Sequence, residues 1–173
     1  MMADSHVDAI KKLDSMIKDV KFAMLTTVAE DGSLRSRPMA TQKQEFDGDL
    51  WFFTRADSDK VHQAQQENHV NVAYANPDDQ QYLSVSGRAE LVRDKAKIEE
   101  LWNPIYKAWF PQGLEDPELA LLKVKVEGAE YWDTPNGKMV QLIGFVKAVV
   151  TGEPYKASKD EHDKVRLNKD RVA

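Results

Sequence analysis

The stretch Arg37-Pro38-Met39-Ala40-Thr41-Gln42-Lys43-Gln44-Glu45-Phe46-Asp47-Gly48-Asp49-Leu50-Trp51-Phe52-Phe53-Thr54 reads as a hairpin turned at Phe46–Asp49, and Ser58-Asp59-Lys60-Val61 beyond it starts a helix. A helix start carries free backbone N–H groups and a partial positive charge. Thr54, Ser58, Lys60 and Arg37 gathered around such an end make a pocket suited to a phosphate. Phe53 and Trp51 lie beside it in sequence and can flank a flat ring. The combination points to a phosphorylated aromatic cofactor.

Working outward, Ile10, Leu13, Ile17 and Val20 fall near one face of a first, amphipathic helix. Phe22 to Val28 leans towards a strand and ends at the turn Glu30-Asp31-Gly32-Ser33. In the following strand Arg35, Arg37, Met39 and Thr41 share one side, because side chains alternate across a strand. Leu34, Ser36, Pro38 and Ala40 share the other. Pro38 lacks an N–H for a ladder, which puts this strand at an edge or at a bulge. Downstream of a helix over about 58–67, His69–Ala75 and Tyr82–Val92 read as strands, and Gly87 marks a bulge or a close backbone approach.

Asp94 is a cap for a late helix whose Ile98, Leu101, Trp102 and Ile105 form a core stripe, and Asn103-Pro104 starts a second short segment. Strands over Ala120–Trp132 and Val140–Gly152 follow, joined through Thr134-Pro135-Asn136-Gly137. The pattern divides the chain into one domain, 1–152, and a charged, loose tail, 153–173. The fold class is mainly β (α+β): a six- to seven-stranded antiparallel barrel with peripheral helices. A sandwich also fits this strand count, and glycine-broken long strands favour barrel closure.

Composition removes whole classes of function. The 173 residues include no cysteine, so disulfides, thiolate catalysis and zinc–thiolate sites are out of reach. A net charge of −5 gives no global attraction for nucleic acid or an anionic membrane, and the cations are spread rather than clustered into a basic groove. Apolar runs such as Ala148-Val149-Val150 are too short to span a bilayer, and the N-terminus lacks the layout of a secretory signal. A cytoplasmic soluble protein is expected. His6, His62, His69 and His162 have no metal-ligand spacing, so no metal is expected. The pairs Glu99-Glu100 and Asp78-Asp79 read as solvated, and His62 as an exposed helix residue.

Five segments in order carry a family resemblance. They are Leu34-Arg35-Ser36-Arg37-Pro38-Met39, Leu50-Trp51-Phe52-Phe53-Thr54, Ser58-Asp59-Lys60-Val61, Val85-Ser86-Gly87-Arg88-Ala89-Glu90-Leu91 and Glu130-Tyr131-Trp132-Asp133. Over about residues 8–152 the chain resembles the FMN-binding split barrels of the pyridoxamine 5′-phosphate oxidase superfamily, in particular its general stress protein branch. The resemblance implies FMN, with FAD as the variant, at the interface of a homodimer. It implies that Arg37 opens the flavin-contacting strand and that Pro38, Met39 and Ala40 run beside the ring. It pairs Phe53 with Thr54, puts Ser58 and Lys60 at the phosphate, and sets Trp132 near the flavin.

Each assignment has a plainer counterpart. Arg37 and Lys60 alone would read as surface cations, Thr54 and Ser58 as a strand end and a cap, Trp132 as a core aromatic. Trp51 and Phe53 are expected to diverge, with Phe53 meeting the flavin and Trp51 in the core or at a dimer contact. The chain also departs from the oxidase. Asp59 stands where an arginine would be, Gln42 near the substrate lysine, and Tyr82 about where a flavin-binding glutamine would lie. The oxidase's C-terminal substrate segment has no counterpart after residue 152. True pyridoxamine phosphate oxidase activity is therefore not expected, and no side chain is assigned as catalytic. Two functions fit: a flavin-dependent oxidoreductase acting on a small substrate, and a non-catalytic protein that sequesters or senses flavin.

Overall fold

Pro38 has no N–H to offer a second neighbour, and the strand that holds it lies at one end of the sheet. The computed structural model describes the backbone of residues 2–133 and 162–166 and the side chains of residues 7–133. In chain order it contains α1 (Met2–Ile17), β1 (Phe22–Val28), β2 (Leu34–Ala40), β3 (Asp49–Arg55), α2 (Asp59–Gln66), β4 (His69–Asn76), β5 (Gln81–Val92), α3 (Lys95–Leu101), 3₁₀ turns at Pro104–Ala108 and Gly113–Glu115, β6 (Leu119–Trp132) and β7 (His162–Arg166). The strands form one antiparallel sheet in the order β2-β1-β4-β5-β6-β3, with β7 added to β6. The sheet curls as a split barrel, as expected, and β2 and β3 approach each other at its open side.

Alternation decides what fills the barrel. Leu25, Phe52, Val72, Val85, Leu122 and Val124 point inward and are essentially fully buried. Helix α1 contributes Leu13, Met16 and Ile17 to the same core. It is fastened by Lys12, which pairs with Asp133 at the end of β6, and by Asp14, whose Oδ1 accepts from the Phe46 N–H at 2.9 Å. Asp133 also accepts from Gln81 Nε2 at 3.1 Å. A second cluster covers the outer face of β3 and β6, where Ile98, Phe110, Leu119 and Leu121 meet Trp51, Phe53, Trp102 and Tyr106.

Several local readings hold in detail. Gly32 adopts φ 79° in the β1–β2 turn, where Asp31 Oδ1 accepts from the Ser33 N–H at 3.0 Å. Asp94 accepts from Ala96 N and Lys97 N, and Asn103 from Ile105 N. Others are corrected. Trp51 and Phe53 sit two residues apart and therefore on one face, packed together under α3 and the first 3₁₀ turn. Ile105 is 66% exposed rather than core, because the chain beyond Trp102 turns as a 3₁₀ helix and loses the α-helical register that would have aimed it inward. The tail expected to be loose contains β7, which pairs with β6 from Gly128↔Arg166 to Trp132↔His162. The strand expected over Val140–Gly152 and its turn at Thr134–Gly137 lie outside the described residues.

β6 is shared by three neighbours. β5 runs along one edge, while β3 and then β7 occupy successive lengths of the other. The register shifts between Ser86 and Gly87, so the glycine does mark an irregularity. A Cβ at Gly87 would lie 2.4 Å from the Lys125 carbonyl oxygen and 3.0 Å from Val124 Cγ1. Gly87→Ala is expected to destabilise the fold by about 1–3 kcal/mol, the range for forcing a methyl into a packed site. Urea unfolding followed by tryptophan fluorescence checks this, and an unchanged midpoint would show that the bulge relaxes freely.

Candidate functional site

The inward side of β1 reads Ala23, Leu25, Thr27, and all three are buried. A hydroxyl in such a place requires partners. Thr27 Oγ1 donates to Gln63 Oε1 of α2 at 2.6 Å and accepts a short bond from Arg37 Nη1 of β2. Arg37 Nη2 reaches the same Gln63 oxygen at 3.0 Å, and Nη1 also donates to the Arg35 carbonyl at 3.1 Å. Three elements are thus locked by one arginine, every acceptor of which is neutral. Burial lowers the pKa of the half-buried guanidinium, Asp59 opposes that shift, and Arg35 adds to it.

Lys60 stands one turn before Gln63 on α2 and is half-buried. Its pKa is lowered first by burial and next by the charge of Arg37, against weaker pulls from Asp57 and Asp59. Among the described residues no carboxylate forms an ion pair with Lys60 or Arg37. Two neighbouring cations, partly desolvated and with Asp57 and Asp59 acting on them only from beyond ion-pair distance, are stabilised when an anion joins them.

The start of α2 adds to this. Ser58 is the N-cap residue, but its side chain makes no capping bond; Oγ donates to the Arg55 carbonyl at 2.8 Å. Thr54 is buried, with Oγ1 at 3.4 Å from Ser58 Oγ. Thr54, Ser58 and Lys60 are therefore brought together at an N-terminus without a side-chain cap, and Arg37 reaches the same helix at Gln63, its charge acting on Lys60, a setting suited to phosphate. Asp59 is exposed at the same helix start.

The remaining expected residues fall elsewhere. Pro38 and Ala40 lie on the outer face of β2 and Met39 is buried in the core, so of this run only the backbone and the outward side chains can border a ligand. Phe53 faces the second cluster, its ring 4.7 Å from that of Tyr106 and 5.7 Å from that of Trp102. Trp132 is 41% exposed on the outer face at the end of β6. Arg37 lies on the inward side of β2 and Trp132 on the outer face of β6, so one face of a single chain does not present both. Thr27 and Gln63 were not singled out from the sequence. Their signals were a hydroxyl on a buried strand face, and an amide three residues after Lys60 on the same helix face.

A model of the family described as "Pyridoxamine 5′-phosphate oxidase like" matches residues 8–156. The chain belongs to this family. It is 32% identical over 160 residues to the protein bli-3 of Neurospora crassa, covering 87% of this chain and 77% of that one. Among solved structures it resembles a Jannaschia protein proposed to be general stress protein 26, at 25% identity and a TM-score of 0.72, covering 93% of this chain and 99% of the other. It also resembles the general stress FMN/FAD binding protein of Xanthomonas citri, at 29% identity and a TM-score of 0.66, covering 76% and 93%. Among the described residues no helix is long and apolar enough to cross a membrane.

The unpaired cations of this family member have a measurable signature. A lysine whose pKa lies below its usual 10.5 binds fewer protons folded than unfolded, so stability rises as pH climbs from the lowered value towards 10.5. Lys60→Met keeps the stem and removes that charge. It is expected to raise the melting midpoint of ligand-free protein at pH 7 by about 1–3 °C, a small effect because the group is half-solvated. Calorimetry should show the gap from the parent narrowing as pH rises towards 10; a lower midpoint for the variant would mean that the ammonium is already neutralised.

Proposed function

We propose that the chain binds FMN, with FAD as the variant, and works in the cytoplasm as a homodimeric flavin-dependent oxidoreductase on a small substrate. One observation carries the reading: Arg37 and Lys60 lie half-buried beside an N-terminus without a side-chain cap, and neither has an acidic partner among the described residues. That donor set fits a phosphate ester, with Lys60 and Arg37 balancing its charge and Ser58 and Thr54 within reach of its oxygens. The backbone of Pro38–Ala40 would border the ring. Bound flavin supplies two-electron redox chemistry, and the chain supplies anchorage, orientation and shielding from water.

The dimer is supported by the outer face of the sheet. The registers Val28↔Leu34, Met24↔Pro38, Met24↔Ala73 and Tyr82↔Trp132 set these side chains on one side. Phe22, Met24, Leu34, Tyr82 and Trp132 are all exposed there, an apolar set that a second copy would cover. A second copy seated on this face would bring its own Trp132 towards the site that one chain leaves open. The Xanthomonas relative, described as FMN/FAD binding, favours a second reading in which flavin is held without turnover.

Titration with FMN is expected to show Lys60→Ala binding about ten-fold more weakly than the parent, the loss of one charge-assisted contact. Equal affinities would remove the phosphate assignment. Light scattering at micromolar concentration is expected to report a dimer, and a monomer would defeat the shared-site arrangement. Anaerobic mixing of the flavin-loaded protein with NADH or NADPH separates the two readings. Rapid bleaching of the flavin band supports the enzyme, and its absence with every candidate donor supports the binding protein.

A further inference from the structure

Gln63 stands on α2 three residues after Lys60, half-buried against β1. Its Oε1 accepts two bonds at once, from Thr27 Oγ1 at 2.6 Å and from Arg37 Nη2 at 3.0 Å. Thr27 in turn accepts from Arg37 Nη1, so the three side chains close a ring of hydrogen bonds. A guanidinium only donates, and the Thr27 hydroxyl has its own proton to place once it has accepted from Arg37. The amide therefore cannot turn over. Its oxygen faces the ring and its nitrogen faces away.

Nothing in that geometry requires an amide. A glutamate at 63 has the same length and shape, and its carboxylate oxygen would accept the same two bonds more strongly. The difference is charge. With glutamine in place, Arg37 donates to a hydroxyl, an amide oxygen and the Arg35 carbonyl, and none of these offsets the guanidinium. Glu30, Asp31 and Asp59 line the open side of α2 next to Gln63, yet none of them forms an ion pair with Arg37 or Lys60 among the described residues.

Residues three apart on a helix are surface neighbours, so a charge at 63 would also act on Lys60. A carboxylate there would serve both cations and take the place in the charge balance that a phosphate ester fills. We propose that Gln63 is a positioning and specificity-determining residue: it aims Arg37 without neutralising it, and so makes binding depend on the phosphate carried by the flavin. Gln63 acts through Arg37 and not by touching the ligand. The assignment rests on the flavin-phosphate reading above and names the residue that enforces it.

Calorimetric titration of the flavin-free full chain with FMN and with riboflavin, which lacks the phosphate, tests it. The parent is expected to prefer FMN by about ten-fold or more. Gln63→Glu should weaken FMN about ten-fold, leave riboflavin within about two-fold, and raise the melting midpoint of the flavin-free protein at pH 7. Gln63→Met removes the acceptor and adds no charge. It should weaken FMN by only about three-fold, spare riboflavin, and lower the midpoint, and it carries the test if Gln63→Glu does not fold. A residue that merely held α2 against the sheet would change both flavins together. Equal losses of FMN and riboflavin in either variant, or a Gln63→Glu protein with unchanged FMN affinity or a lowered midpoint, would overturn the assignment and leave the phosphate pocket standing. A parent that binds riboflavin as tightly as FMN would overturn both.

Discussion

Everything in this site depends on Arg37 being held half out of water by groups that cannot neutralise it. Thr27 and Gln63 satisfy its N–H donors and tie β1, β2 and α2 into one corner, but neither carries charge. A carboxylate in place of Gln63 would complete an ion pair and close the corner to ligands. An amide fixes the same geometry and leaves the positive charge available. Lys60 adds a second charge a turn earlier on the same helix, so the corner is rigid and electrostatically incomplete at once.

The topology explains why this corner lies at an edge. Pro38 confines β2 to the end of the sheet path, so one flank of β2 is free for something other than a strand. Alternation then divides β2 between two tasks. Arg35 and Arg37 turn inward towards α2, while Leu34, Pro38 and Ala40 turn to the apolar outer face. A cationic inner side and an apolar outer side thus come from one seven-residue strand.

Much of this was legible before any coordinates. Strand alternation fixed the sides of β2, and Asp94, Asn103 and Gly32 announced caps and a turn through local chemistry that tertiary context did not override. Lys60 and Ser58 were legible because a helix start after a strand end is a short-range event. What escaped depends on long-range packing. Gln63 matters because α2 lies against β1, and no spacing within the helix reports that. The 3₁₀ turn after Asn103 moved Ile105 into solvent, since a drop from about 3.6 to 3.0 residues per turn is invisible in so short an apolar periodicity. The strand at His162–Arg166 lacks an apolar alternation of its own and owes its place to the free length of β6.

Phe53 links the second hydrophobic cluster to the edge of the barrel. Its ring packs at 4.7 Å against Tyr106, and the Tyr106 hydroxyl donates to Gln42 Oε1 at 3.2 Å. Gln42 lies just past the end of β2, where the chain leaves the sheet for the loop to β3. The second hydrophobic cluster thereby reaches round the edge of the barrel and holds the exit of the strand that carries Arg37. Phe53 shares this bracing of Tyr106 with Trp102 and Trp109, whose rings lie 5.9 and 6.4 Å from that of Tyr106. The sequence pairs Phe53 with Thr54 because adjacent residues on opposite faces of β3 serve the two sides of one edge. Thr54 reaches Ser58 at the head of α2, and Phe53 braces, through Tyr106 and Gln42, the strand across from it.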